Sequence, residues 1–308
     1  VLAEDVSYED RVPNTRILSA AKLTGKNAKG FSWGMMSTLT GEVNVKVTDS
    51  LGRERKEKIE PMTLYNMARF QQDINEGQTV LGAIFTKVNR YGNSGNELEE
   101  LHDGAMSGGF DLNHFFLDRK YGMTLQFSGT QVKGSQDAIA ETQQLNTRVF
   151  HRPDNGYRSL DTTRTVLSGT SSRLQFGKRA GNWRWEIGGN HRSPGFELND
   201  IGFLEKTDDI NAWLWTQYRV IEVKGILRQQ SYELNIEQNW DFGGTSTYSG
   251  FGGNMRWEFN NFWWTRLNVW HDVSSIANAD LRGGPSLKRP GGYAFGFNIG
   301  SNERKKLS

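Results

Sequence analysis

The 308-residue chain contains no cysteine, which excludes disulfide staples, thiolate metal sites and a cysteine nucleophile. It also lacks any run of about 18 consecutive apolar residues, so it has no segment that could span a bilayer as a helix. An excess of one charge is missing too. The 37 Lys and Arg face 35 Asp and Glu, for a net charge of +2, and the two signs are intermixed along the chain. Such a balance offers no basic stripe to a phosphate backbone, which excludes nucleic acid as a partner. No signal peptide opens the chain, which carries little weight because a mature or trimmed protein would lack one.

What is present is aromatic and glycine-rich: aromatics make up 12%, with 10 Trp and 35 Gly. Mean hydropathy is only −0.65, a value that ordinarily describes a water-soluble protein. Transmembrane barrels escape that inference, because half of each spanning strand faces a polar lumen and holds the average down. Composition changes nowhere sharply along the chain, and residues 1–308 are read as one domain.

From Trp183 to Phe297 apolar and polar residues alternate for about ten positions at a stretch, twice an ordinary strand. Trp183, Trp185 and Ile187 alternate with Arg184, Glu186 and Gly188. Met255, Trp257 and Phe259 alternate with Arg256 and Glu258, and Tyr293, Phe295 and Phe297 with Ala294 and Gly296. Successive strand side chains point to opposite faces, so each segment has one greasy and one wet face. Counting such segments gives about thirteen strands, near 14–24, 30–40, 62–72, 78–89, 105–117, 120–131, 162–178, 182–192, 211–220, 226–239, 249–259, 262–273 and 292–301.

The connections alternate in length. Tight turns fall at 26–30, 73–77, 118–119, 179–181, 221–225 and 260–261, and long ones at about 41–61, 90–104, 132–161, 193–210, 240–248 and 274–291. This rhythm predicts an all-β, antiparallel, up-and-down transmembrane β-barrel with short periplasmic turns and long external loops. Bacterial single-chain barrels usually have an even strand number and start in the periplasm. An odd count with an external start leads to the expectation of an internal portion of a larger barrel, with an upstream domain and closing strands outside this chain. A soluble β-sandwich is the competing architecture, but its strands are roughly half as long.

On the barrel reading, Trp183, Trp185, Trp257, Trp263, Phe295 and Phe297 face lipid or form an aromatic girdle. The same girdle is expected to hold Trp213, Trp215, Trp264 and Trp270, near strand ends. A charge on the lipid face costs roughly 2–4 kcal/mol at the midplane. Arg184, Glu186, Glu233, Glu237, Arg256, Glu258 and Arg266 are therefore expected to line the lumen, as a stiffening network or a lining for a polar solute. The segments 62–72 and 226–239 alternate poorly, and their faces are not legible.

Chemistry-bearing motifs are few. His102, His114, His151, His191 and His271 lack metal-ligand spacing, so no metal or cofactor is expected. The acidic segment 97–103 reads as a solvated external loop, with calcium or lipopolysaccharide-bridging cations as the functional alternative. No Gly-x-Ser-x-Gly turn, phosphate loop or dinucleotide fingerprint is present, and the chain is read as not an enzyme. Two loops, Phe150–Asp154 and Ser193–Phe203, combine turn formers with aromatics and charges. They are expected to fold; ordinary turn capping is the favoured reading, and closing the pore, with Arg152 meeting Asp154, Glu197 or Asp200, is the alternative. Arg282 is a further loop candidate.

The strings Thr15–Gly25, Arg152-Pro153-Asp154, Ser193–Phe203 and Arg282-Gly283-Gly284-Pro285 resemble the barrel region of a Bacteroidota family of outer-membrane proteins. Its members carry an amino-terminal domain similar to family-nine carbohydrate-binding modules, followed by a barrel of unknown function. The resemblance spans nearly the whole chain but not the carbohydrate-binding-like domain, so it carries glycan binding onto no residue here. It implies the outer membrane of a Gram-negative bacterium, with outer-membrane lipid and lipopolysaccharide as surroundings. The expected function is a transport or receptor barrel for glycans or related polar solutes. A plugged accessory subunit of an outer-membrane assembly or secretion complex, bound to other outer-membrane proteins, is the alternative. A soluble carbohydrate-binding sandwich is the third.

Overall fold

A computed structural model describes residues 6–10, 14–92 and 98–302. The strands, in chain order, are β1 (Val6–Asp10), β2 (Ile17–Lys26), β3 (Phe31–Thr40), β4 (Val43–Asp49), β5 (Glu54–Glu60), β6 (Met62–Ile74), β7 (Thr79–Tyr91), β8 (Gly104–Phe116), β9 (Tyr121–Lys133), β10 (Val166–Lys178), β11 (Trp183–Arg192), β12 (Asp209–Val220), β13 (Leu227–Trp240), β14 (Ser246–Phe259), β15 (Trp264–Asp272), β16 (Ser275–Ala277), β17 (Leu287–Arg289) and β18 (Gly292–Gly300). One helix, α1 (Gln136–Gln144), lies between β9 and β10.

Thirteen of the strands form one sheet in the order β2-β3-β6-β7-β8-β9-β10-β11-β12-β13-β14-β15-β18. Every pairing in it is antiparallel, and each strand lies beside the next large-sheet strand in sequence. The long alternating segments are these strands, most of them 9 to 14 residues long. The sheet's two outer strands, β2 and β18, do not pair with each other. The protein is thus all-β with one large meandering sheet.

Short connections sit at one end of the sheet. The β2–β3 turn needs glycine at Gly30 for two reasons: its φ is +83°, and a Cβ there would lie 2.6 Å from the Asp73 carbonyl oxygen. The β8–β9 turn is less usual. Leu117, Asp118 and Arg119 all adopt positive φ, at 47°, 52° and 62°, without a glycine among them.

The long connections at the other end are not plain loops, which corrects the expectation for three of them. Residues 41–61 contain the β4–β5 hairpin, which joins β1 in a three-stranded sheet. Residues 132–161 contain α1, and 274–291 contain the β16–β17 hairpin. The charges of β5, Glu54-Arg55-Lys56-Glu57-Lys58, hid its strand character. The helix starts where Ser135 Oγ accepts the Ala138 N–H at 3.0 Å, a standard N-cap.

The register separates the two faces of the sheet. One row across seven strands runs Phe176, Ile187, Leu214, Ile236, Phe251, His271 and Tyr293. Another, nearer the short turns, runs Trp183, Tyr218, Tyr232, Met255, Leu267 and Phe297. Many of these side chains are exposed in spite of their chemistry: Ile187 is 53% exposed, Phe297 66% and Tyr293 71%. Soluble proteins seldom leave so continuous an apolar surface uncovered. No second large sheet covers it among the described residues, as a β-sandwich would require.

Candidate functional site

The opposite face is polar, and the ladders bring together on it all seven residues expected to line a lumen. Glu186 pairs with Trp215, Arg184 with Gln217, Glu233 with Gln217 and Asn254, and Glu237 with Trp213. Arg256 lies opposite Arg266, and Glu258 opposite Trp264. The six residues expected to face lipid share the other side: Trp183, Trp185, Trp257, Phe295 and Phe297 by register, and Trp263 by its position next to Trp264.

Four girdle expectations are overturned. Trp213, Trp215, Trp264 and Trp270 lie on the polar face. Glycine explains three of them: the indoles of Trp213, Trp270 and Trp264 lie against Gly188, Gly252 and Gly300, where a Cβ would overlap the ring. Laid flat, an indole both fills the gap left by glycine and aims its N–H along the wall. Trp213 Nε1 donates to Glu186 at 3.0 Å, and Trp270 Nε1 to Asp272 at 2.9 Å.

The carboxylates of this wall are held mainly by amides and indoles. Glu186 also accepts from Gln175. Glu233 accepts from Gln217 at 2.5 Å, and Glu237 from Asn211 at 3.0 Å. Ion pairs are few: Arg69 meets Asp111 at 2.5 Å and Arg228 meets Glu258 at 2.8 Å. The cations instead stack on indoles, with Arg173 5.0 Å from Trp213 and Arg256 5.1 Å from Trp264. A hollow of about 240 Å³ opens among Asp111, Gln126, Ser128, Ser171 and Arg173.

Towards the long-loop end the same face turns apolar. The row Val88, Ala105, Val132 and Leu167 sits two residues beyond Thr86, Ser107, Thr130 and Gly169. Val132 and Leu167 pack with Ile139 of α1 and with Phe150, all four buried. A folded loop cluster therefore caps one end of the polar face, and the sequence changes from polar to apolar where the cap sits.

Buried charges fasten this cap. Arg148 is wholly buried, donating to the carbonyls of Thr142 and Phe196 at 2.9 Å each and meeting Glu197 at 2.6 Å. Arg158 meets Asp208 at 2.6 Å, and Tyr157 donates to the same carboxylate. Burial, opposed by Arg158, leaves the Asp208 carboxyl above its ordinary range.

The expected loop contacts are only partly formed. Arg152 pairs with Asp154 at 2.9 Å and reaches Asp241 at 3.9 Å. Glu197 and Asp200 go to other cations: Glu197 to Arg148, and Asp200 to Arg90 at 2.6 Å and His102 at 2.9 Å. The reason is placement, because Arg152 is directed to the 274–291 connection, where it donates to the Asn278 carbonyl at 3.2 Å. Arg282 enters through its backbone: its carbonyl lies 3.4 Å from His151 Nε2. Arg148, Arg158, Asp208 and Asp241 were missed by sequence reasoning. The string Gln136–Gln144, rich in helix formers after a Ser cap, was the available signal that a packed element precedes them.

Of the acidic segment 97–103, Glu97 lies outside the described residues. Leu98 is buried, and His102 is tied on its other nitrogen to Thr142 Oγ1 at 2.7 Å. No acid or histidine cluster suited to a metal is found among the described residues.

Two expected results follow from the cap. Gly169 faces the loop backbone of Gly195 and Phe196, where a Cβ would overlap main-chain atoms that cannot rotate away. Gly169→Val is expected to expel Ser193–Phe203 at a cost of about 3 kcal/mol, seen as new protease cleavage in that loop. The second concerns acid. Burial alone would raise the Asp200 carboxyl, but the His102 hydrogen bond and the Arg90 charge outweigh it and hold it below its ordinary range. Its contribution is therefore complete above about pH 3.9, the unfolded value, and lost as pH falls through the folded value. Protease sensitivity of the cap is expected to rise on acidification below that point, and Asp200→Asn to remove this part of the response.

The architecture defines a large antiparallel sheet with one exposed apolar face and one hydrogen-bonded polar face, capped at one end by its own connections. The chain belongs to the family described as Domain of unknown function (DUF5916), whose model matches residues 1–308. No curated protein matches the chain.

Proposed function

We propose that the sheet is the wall of a Gram-negative outer-membrane β-barrel, serving as a transport or receptor barrel for glycans or related polar solutes. The observation that carries this reading is the division of thirteen strands into an uncovered apolar face and a polar face. Hydrocarbon is the solvent that makes such an apolar face favourable, and a water-filled lumen suits the other. Sheets beyond about ten strands rarely stay open without curling, and β2 and β18 would close by meeting each other or further strands. Carboxylates, amides and flat indoles on the inner wall offer polar solutes hydrogen bonds and stacking surfaces. The resemblance to Bacteroidota outer-membrane proteins supports the location.

A second reading is favoured by the cap. Its buried ion pairs suit a barrel kept shut, a plugged accessory subunit of an outer-membrane assembly or secretion complex whose surfaces bind other proteins. Reconstitution in planar bilayers separates the two. Steady conductance blocked by oligosaccharide supports the transport barrel, whereas a silent barrel that copurifies stoichiometrically with other membrane proteins supports the accessory subunit. Protein that stays folded and dispersed in buffer without detergent would overturn both.

A further inference from the structure

Near its short-turn end the polar face carries a row of like charge. Arg219 pairs in register with Ser231, Ser231 with Arg256, Arg256 with Arg266, and Arg266 with Asn298. Three arginines and no carboxylate therefore follow one another across five neighbouring strands. Arg256 and Arg266 stand directly opposite each other, and like charges so placed destabilise a sheet. Arg219 adds a second anomaly, because its Nε is buried without a hydrogen-bond partner.

The surrounding carboxylates leave this row unneutralised. Glu258 meets Arg228 at 2.8 Å, and Glu233 accepts from Gln217 at 2.5 Å and from Asn254 at 3.5 Å. In the β12–β13 turn the charge of Glu222 is balanced by Lys224, while Arg179 and Arg184 at the β10–β11 turn add further positive charge. None of the row's three arginines forms an ion pair among the described residues. The Arg256 guanidinium lies 5.1 Å from the ring of Trp264, which offsets only part of its charge.

We infer that this row is an anion-binding station on the wall of the lumen, which takes an oxyanion group carried by an acidic glycan. The inference rests on the barrel reading above and narrows its solute from glycans in general to acidic ones. Arginine forks on adjacent strands, about 5 Å apart, offer paired N–H donors that match the oxygens of a carboxylate, phosphate or sulfate. Such a group supplies the negative charge that the wall itself withholds from Arg256 and Arg266. A neutral sugar would leave the two cations facing each other.

Isothermal titration calorimetry of the detergent-solubilised protein at low salt tests this, with trigalacturonate, uncharged maltotriose and inorganic phosphate as probes. Trigalacturonate is expected to bind at least about tenfold more tightly than maltotriose. Arg256→Gln/Arg266→Gln should lose about tenfold in trigalacturonate affinity, with maltotriose unaffected. Without ligand the double variant is expected to unfold at no lower temperature than the parent, because it removes a repulsion; a clear drop would assign the two arginines to cohesion of the wall instead. Equal affinity for trigalacturonate and maltotriose in the unaltered protein, or undiminished trigalacturonate binding in the double variant, would overturn the site. Phosphate that binds as tightly as trigalacturonate would overturn the glycan as the source of the anion. The unaltered protein decides alone should the double variant misfold. Insertion into vesicles without any preference for the acidic sugar sinks only this inference, whereas protein that stays folded in buffer without detergent sinks the barrel reading, whatever it binds.

Discussion

Arg148→Met is expected to cost about 3–5 kcal/mol and to unfasten the cap, because it strands a buried carboxylate. The Arg148 and Glu197 side chains are 0% and 2% exposed. The arginine joins two pieces of chain: the end of α1 through the Thr142 carbonyl, and the β11–β12 connection through the Phe196 carbonyl and the Glu197 carboxylate. Removing the guanidinium leaves Glu197 with the Asn199 N–H, at 2.7 Å, as its remaining donor. Few groups fare worse than an unpaired carboxylate shielded from water. Burial lowers the affinity of Arg148 for its proton, but the neighbouring carboxylate offsets part of that, so the pair holds as an ion pair. The double variant Arg148→Met/Glu197→Gln removes both charges and is expected to recover much of the loss. Thermal unfolding in detergent, followed with proteolysis of residues 145–165, reads both steps. Equal destabilisation of the single and double variants would show that packing, not the stranded charge, sets the cost.

Period-2 alternation made the large sheet legible because each strand meets different surroundings on its two sides, as in Trp183–Gly188 and Tyr293–Gly300. The short-long rhythm of turns then fixed the neighbours. Faces failed where both sides of a strand carry aromatics or small residues. In β12, Ala212, Leu214 and Thr216 alternate with Trp213, Trp215 and Gln217, and size alone points to the tryptophans as the greasy side. A tryptophan over a cross-strand glycine belongs to the polar wall, and that pairing exists only in the register, between Trp213 and Gly188. The cap was opaque for a related reason. Arg148 lies far in sequence from Phe196 and Glu197, and Arg158 from Asp208, so no local pattern announces either contact. Only the apolar positions Val132 and Leu167, at the ends of otherwise polar faces, hinted that something covers the wall there.

Ile187→Arg is expected to lower stability in lipid vesicles by about 2–4 kcal/mol, while Gln217→Arg is tolerated. The two positions lie on neighbouring strands but opposite faces. Ile187 is mid-strand in β11, between Phe176 and Leu214 in the apolar row, so a guanidinium there must enter hydrocarbon or drag water and headgroups towards it. Gln217 already donates to Glu233 on the polar face, and an arginine in its place gains a carboxylate partner. Denaturant titration of both variants in vesicles measures the difference. Were the apolar face in contact with water, Ile187→Arg would be an ordinary surface substitution within about 0.5 kcal/mol of the parent. A small loss there would remove the lipid from the argument, and a large one would place the midplane near the row that joins Phe176 to Tyr293. The same titration on Phe295→Arg, opposite Val269 of β15 and itself 75% exposed, extends the measurement to β18. A comparable loss at that strand would mean that hydrocarbon covers the sheet's outer strand as well.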